Sequence, residues 1–531
     1  MTPEPPVTTL YRRGRVRSPA DPFATALLVA DGRVAWVGSE TAADALSPDA
    51  VVDLDDAWVA PAFVDAHVHT TSAGLTLTGL DLGDAPSLAV VLDRVEQAAR
   101  RERGGIVLGG GWEQDGWPEG RPPTAHELDR ASYGGVVYLS RTDGHSAVAS
   151  SALLAAAPAA RAMAGWVGDG LVNEQAHSEV RRVAFAGLPA AARRQAQRVA
   201  RARAGALGIA CLHECGGPHL EGEHDFLGLL ALASDEPGPD VLGYWGELGG
   251  PERARALGAH AAGGDLFVDG SIGSHTACLS ERYTDDDTLG YAYLDAAQVS
   301  EHVMACTRAG MQAGFHAIGD AALTTVLDGY AHAAEVLGVA ALRAARHRVE
   351  HVEVPTPAHV AQLAELGLIA SVQPAFDARW GGPDGLYAAR LGAERARDSN
   401  PLAALSAAGV PLAFGSDAPV TPLDPWGGVR AAMQHHTPAS RLSARAAFSA
   451  ATRGGWRGAG IDGVGELAPG APATFAIWEP SGELVVQAPD ERVSAWSTDP
   501  RSGVGGLPDL SGPDPVCRAT VVRGRQVHPA V

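Results

Sequence analysis

The chain has 531 residues, 46% of them apolar, and a formal net charge of −21. That length suits two domains or one large barrel with additions, and the acidity argues against a nucleic-acid backbone as partner. All 41 residues in the Lys+Arg count are arginine, so every mechanism that needs a lysine is excluded: a Schiff base, a nucleotide-loop lysine or a carboxylated lysine.

The N-terminus, Met1-Thr-Pro-Glu-Pro-Pro, lacks the positive charge and apolar segment of a signal peptide. No run of about 20 apolar residues is free of breakers, so no membrane span is expected. Five cysteines, Cys211, Cys215, Cys278, Cys306 and Cys517, are few and odd in number, which fits a reducing cytoplasm.

Residues 8 to 56 read as short strands: Leu10 to Val16, Ala26 to Ala30, Arg33 to Val37 and Val51 to Leu54. Asp31-Gly32 between two apolar runs marks a hairpin. The far end is also β-like, at Ala473 to Trp478, Glu483 to Val486 and Ala519 to Val522. Two β-rich ends around a βα centre predict one small β-sandwich built from residues 1–61 and 455–531.

Between them, over 62–454, eight strand-like runs end in polar or glycine-rich sequence. They are Phe63-Val64, Gly208 to Leu212, Val241 to Tyr244, Leu266 to Val268, Gln312 to Phe315, Arg348-Val349, Leu368 to Val372 and Leu412 to Phe414. Helical segments separate most of them, such as Ala297 to Ala309, Ala321 to Leu337 and Pro357 to Leu366. Eight β-then-α units predict an α/β fold, a TIM-like (β/α)8 barrel. Roughly 140 residues separate the first two strands, too many for one crossover, so an insertion is expected at about 75–200. Within it, Arg181 to Gly205 reads as a solvated helix.

Metal-capable side chains fall at the C-terminal strand ends, where a barrel carries its chemistry. The first strand ends in His67-Val-His69, the fifth meets His316, the sixth His351 and the eighth Asp417. The period-two alternation of a strand points His67 and His69 to one side. Such a pair alone also fits two polar residues leaving a core, but the ordered set of five argues for a metal centre. His and carboxylate ligands suit Zn2+, with Mn2+ or Fe2+ as other occupants. Asp417 can then act as a general base, and His351 as a ligand or as a group that polarises a carbonyl.

The chain resembles the amidohydrolase superfamily, in particular its YtcJ-like branch, which includes N-substituted formamide deformylase. The resemblance runs through Pro61-Ala-Phe-Val-Asp-Ala-His-Val-His69, Gly109-Gly-Gly-Trp-Glu-Gln-Asp115, Asp143-Gly-His-Ser146, Asp269-Gly-Ser-Ile-Gly-Ser-His-Thr-Ala277, His316-Ala-Ile-Gly-Asp-Ala-Ala322, Arg348-Val-Glu-His351, Ser371-Val-Gln-Pro374, Gly415-Ser-Asp-Ala-Pro-Val420 and Asp424-Pro-Trp426. It implies metal-dependent hydrolysis of a non-peptide C–N bond in a small amide or formamide. A deaminase or cyclic-amide hydrolase on the same scaffold is the first rival, and a catalytically silent binding barrel the second.

Many relatives carry a bridging lysine on the fourth strand; Asp265 stands at that position here and is expected to lie too far down the strand to reach the pocket. One Zn2+ on His67, His69, His316 and Asp417 is then one option. The other is two ions with another bridge, for which Glu214 at the end of the second strand is the candidate, and His351 as an added ligand. Substrate contacts are expected from Trp112, Asp143, His145, Asp269 and His275, with Trp117 and Trp380 as apolar walls. The partner is a small molecule, with no nucleic acid or membrane, and a homodimer follows by analogy.

Overall fold

The computed structural model describes residues 8–479, 482–485 and 506–529. Eight strands form the central sheet: Phe63–Val68, Ile209–Gly216, Asp240–Trp245, Ala261–Ala262, Gln312–Ala317, Arg348–His351, Ile369–Val372 and Leu412–Phe414. Each pairs in parallel with the next in chain order. A bridge between Val68 and Ala418 brings the last strand end back to the first. The Asp417 N–H donates to His67 O over 2.8 Å, and His69 N–H to Ala418 O over 2.9 Å. Asp65 accepts the Ser416 N–H over 2.9 Å, tying the loop that carries Asp417 to the strand that carries His67. The result is the TIM-like barrel expected from the eight runs. Phe63–Val68, Ile209–Gly216, Gln312–Ala317 and Arg348–His351 are buried along their length, as a sheet covered on both faces requires.

The fourth strand departs from its expected place. The ladder is Ala261–Ala262, and Leu266 to Val268 rejoins the fifth strand only through a bridge at Phe267–His316. Gly263-Gly264 causes the break. Gly264 has φ +83°, and a Cβ on Gly263 would stand 2.2 Å from Gly314 N. Only glycine lets the backbones approach that closely.

Strands from both ends of the chain share one of two flanking sheets. Arg15–Val16, Trp58–Pro61, Phe475–Glu479, Val516–Val522 and Arg525–His528 form one. Arg33–Gly38, Ala26–Ala30, Thr8–Arg12 and Ala50–Asp53 form the other. Their inner faces bury one apolar cluster that includes Tyr11, Leu27, Val59, Phe475 and Val521. Asp31 and Gly32, at φ +48° and +72°, make the hairpin turn. The strand expected over Glu483 to Val486 is seen at Leu484–Val485; Val486 lies outside the described residues.

A six-stranded sheet lies between the first and second barrel strands, in the order Trp166–Gly168, Leu171–Asn173, Ser146–Ala149, Val137–Arg141, Val107–Trp112, Leu80–Asp81. The stretch read as one helix from Arg181 to Gly205 is two, Glu174–Ala186 and Ala190–Ala206. Pro189 explains the break, since it cannot donate within a helix and restricts the residue before it. Among the described residues no helix is long and apolar enough to cross a membrane.

Candidate metal centre

His67, His69, His316, His351 and Asp417 converge at the barrel mouth, and Asp265 joins them. Asp265 Oδ2 lies 3.1 Å from His69 Nε2. Its Oδ1 lies 3.4 Å from His67 Nε2, 3.3 Å from His316 Nδ1 and 3.6 Å from His351 Nε2. Asp417 Oδ1 is 3.2 Å from His69 Nε2 and 3.5 Å from His67 Nε2. The expectation that Asp265 stays too far down its strand is therefore wrong. The glycine pair before it ends the ladder early and turns the next residue inward.

Neighbouring acceptors fix the rings. His67 Nδ1 faces Glu350 Oε2 at 2.9 Å, His351 Nδ1 faces Gln373 Oε1 at 2.9 Å, and His316 Nε2 faces Gly270 O at 3.2 Å. For His67 and His351 the acceptor places the ring proton on Nδ1 and leaves the Nε2 lone pair toward Asp265, whereas both His316 nitrogens face acceptors, Gly270 O and Asp265 Oδ1. Glu350 is anchored by Arg348, whose guanidinium also reaches Ala66 O and Ser371 Oγ inside the barrel. Burial opposes ionisation of Glu350, but Arg348 and His67 outweigh it and hold the carboxyl well below the usual range.

Two strand ends are strained. His351 and Val352 have φ +71° and +52°, and Asp417 has φ +54°. A β-branched residue in this region is an outlier that surrounding structure must enforce. Here Val352 N–H is held by Ala317 O and Glu350 O at 3.1 and 3.0 Å.

A divalent cation fits this donor set. His67 Nε2, His351 Nε2 and Asp417 Oδ1 are buried polar atoms without a hydrogen-bond partner, a costly state that a shared ion removes. Ligands about 2.0–2.1 Å from one tetrahedral ion lie roughly 3.3 Å apart, and the separations here run from 3.1 to 3.6 Å. Burial disfavours charge on His69, yet Asp265 and Asp417 outweigh it and raise its pKa well above the ordinary value, so the cluster attracts positive charge. His316 is pushed down to about 4 by burial and by His351, and stays a neutral donor.

Two cavities meet at this cluster. One, of about 860 Å3, runs past His69 and Asp265 under the insertion, along Gly109, Gly110 and Gly111. The other is a compartment of about 30 Å3 walled by Ile272, Ile318, Phe376, Trp380, Leu386 and Tyr387. His316, His351 and Asp417 line both, as do Asp143 and His145.

The remaining candidates lie outside this cluster, although Asp269 Oδ1 stands 3.7 Å from His316 Nε2. Glu214 accepts the Thr70 N–H over 2.8 Å, and burial together with Glu221 raises its pKa to about 8. No metal-capable group among the described residues contains it. Asp269 accepts from the backbone N–H of Cys278, Ile318 and Gly319 and lines neither cavity. Trp112 and Trp117 are buried in the insertion core, where each indole N–H meets a backbone carbonyl. His275 pairs with Asp285 at 3.0 Å, away from both cavities. Arg348 and Glu350 were missed as supporting residues, although Arg-Val-Glu carries a period-two signal for a shared face.

A family model described as "Amidohydrolase family" matches residues 50–528. The chain belongs to the amidohydrolase family. Among its relatives is the Arabidopsis thaliana protein LONG AFTER FAR-RED 3, 29% identical over 86% of this chain and 84% of that protein. The Bacillus subtilis (strain 168) protein named "Putative amidohydrolase YtcJ" is 26% identical over 72% of this chain and 74% of its own length. The N-substituted formamide deformylase of Arthrobacter pascens is 35% identical over 25% of each. These similarities place the chain in the YtcJ-like branch. An uncharacterized metal-dependent hydrolase from Pyrococcus furiosus has the same fold, with a TM-score of 0.70 at 26% identity, covering 88% of this chain and 98% of that one.

Proposed function

We propose that the chain hydrolyses a non-peptide carbon–nitrogen bond in a small amide, with N-substituted formamides as the substrate class. The observation that carries this reading is the unequal pair of cavities on either side of the metal-capable cluster. An amide carbonyl at the cluster would send its acyl substituent into the compartment of about 30 Å3, which suits a hydrogen or a methyl group. The amine substituent would extend into the cavity of about 860 Å3.

A bound divalent ion, with zinc the best match to His and Asp donors, would supply an activated water near neutral pH and polarise the carbonyl. His67, His69, Asp265 and Asp417 would hold it. Asp417 takes the proton of the attacking water and returns it to the departing nitrogen. His145, lining both cavities beside His316, contacts the substrate across the junction, and Asp143 positions the loop that carries it. Five unpaired cysteines support a cytoplasmic location.

The test supplies aryl- and alkyl-substituted formamides to purified protein and measures formate and free amine. Equimolar release supports the reading. Ammonia from an amino-heterocycle, with no formate from any formamide, would replace it by the deaminase reading.

A further inference from the structure

We propose that Arg181 makes the large cavity an anion-recognising site, so that the substrate is an N-formyl amino acid: a formamide whose amine half carries a carboxylate beside an apolar side chain. This rests on the amide-hydrolase reading above and names the substrate class within it.

Three observations carry it. First, Arg181 keeps unspent donors. Its side chain is only 13% exposed, and it lines the cavity of about 860 Å3. Nη2 donates to Glu221 Oε1 over 2.7 Å and to Ser72 Oγ over 3.4 Å. Among the described residues Nε–H and the Nη1–H groups have no acceptor, and neither nitrogen is sealed from solvent. A guanidinium carries five N–H donors, so three stay open to a ligand.

Second, the counter-charge stands behind it. Glu221 lines neither cavity, and it accepts from Ser72 as well as from Arg181. The pair therefore turns its positive end toward the cavity. Arg203, exposed and without an ion pair among the described residues, adds a second cation to the same cavity. The acids there are otherwise engaged. Asp84 pairs with Arg94, Asp143 with Arg141, and Asp265 and Asp417 with the histidine cluster. Asp81 accepts the Gly83 N–H over 2.9 Å.

Third, the spacing fits. His69 is the N-cap of the helix Thr70–Thr78, on which Ser72 stands. Ser72 and the guanidinium it meets thus lie about one helical turn, roughly 5 Å, beyond His69. With the carbonyl at the cluster, a carboxylate one carbon away from the amide nitrogen spans that gap. Leu75, Phe185 and Leu220 on the same cavity give the amino-acid side chain an apolar wall. In the reaction, water adds its hydroxyl to the formyl carbon, the C–N bond breaks and the nitrogen departs with the proton, giving formate and the free amino acid.

The experiment uses the full-length, zinc-loaded protein. It compares kcat/KM for the better enantiomer of N-formylphenylalanine with that for N-formyl-2-phenylethylamine, which differs only by lacking the carboxylate. Charge-assisted hydrogen bonds predict a preference for the acid of about 10-fold or more. Two variants locate that preference. Arg181→Lys keeps a cation for Glu221, and with it the fold, but its ammonium is spent on Glu221 and Ser72. Arg181→Met combined with Glu221→Gln removes both charges together. In each the ratio should fall to near one, whereas a merely structural role would depress both substrates and leave the ratio as it was. A ratio near one in the unsubstituted protein, or an undiminished ratio in folded Arg181→Lys, overturns the anion site and leaves the amide-hydrolase reading standing. No formate from either formamide overturns both.

Discussion

His67 Nδ1 lies 2.9 Å from Glu350 Oε2 between two fully buried side chains, and Arg348 holds Glu350 from the other side. The imidazole is thereby fixed with Nε2 toward Asp265 and Asp417. Outer partners of this kind are worth 10- to 100-fold in metal affinity. Glu350→Gln should therefore weaken metal binding by that factor in a competition titration. Because Arg348 would be left as a buried, unpaired charge, stability in urea should also fall by about 3–5 kcal/mol. Unchanged metal affinity would remove Glu350 from the site's support.

Asp417→Asn should separate chemistry from folding. Asn tolerates the positive φ of this position about as well as Asp does. The urea midpoint should stay close to that of the parent, while kcat falls by about 10²–10⁴, the usual weight of a general base. Turnover at the parent rate would show that another group takes the proton.

Gly263→Ala tests how Asp265 reaches the site. The added methyl would stand 2.2 Å from Gly314 N, and backbone cannot yield as a side chain tip would. The fourth and fifth strands must then part, at a cost of about 1–3 kcal/mol, typical of overpacking. Metal content should drop together with stability. A lower melting temperature with full metal content would uncouple the glycine break from the placement of Asp265.

Leu386→Ala should enlarge the small compartment beside the cluster. One carbon of fit in an apolar pocket is worth about 1–3 kcal/mol. The kcat/KM of an N-substituted propionamide relative to its acetamide should rise 10-fold or more. A constant ratio would mean that the acyl group does not enter this compartment.

Acid should destabilise the fold through two buried histidines that belong to no metal-capable group among the described residues. Burial lowers His177 and His347 to about 3, with Arg181 and His302 adding to the effect. His177 bonds Tyr138 Oη, and His347 Nδ1 accepts the Ala313 N–H, so both sit neutral in the folded chain. The unfolded chain takes up these protons below about pH 6.5, whereas the folded chain does so only near pH 3. Their contribution is thus complete above pH 6.5 and is lost as pH falls from there toward 3, by about 1.4 kcal/mol per pH unit for each residue. In His347→Asn the decline in stability between pH 6 and 4.5 should be shallower by that amount; an identical slope would contradict the assignment.

The barrel and most of the metal cluster are legible in residue spacing. Buried parallel strands read as short apolar runs, and the fold puts its chemistry at their ends, so His67, His69, His316, His351 and Asp417 stand out by position alone. The Asp31-Gly32 hairpin is equally local, because the turn depends on two residues that accept positive φ. Where Asp265 ends up is not local. Strand periodicity carries it down an unbroken ladder, whereas the approach of Gly263 to Gly314, a residue 51 positions along the chain, ends that ladder and turns the carboxylate inward. His351 likewise owes its direction to a positive φ held by contacts from Ala317. The support of His67 by Glu350 joins residues 283 apart. The two unequal cavities arise where the insertion meets the barrel loops. Contacts between distant segments leave no periodic trace in sequence, so only the folded chain decides them.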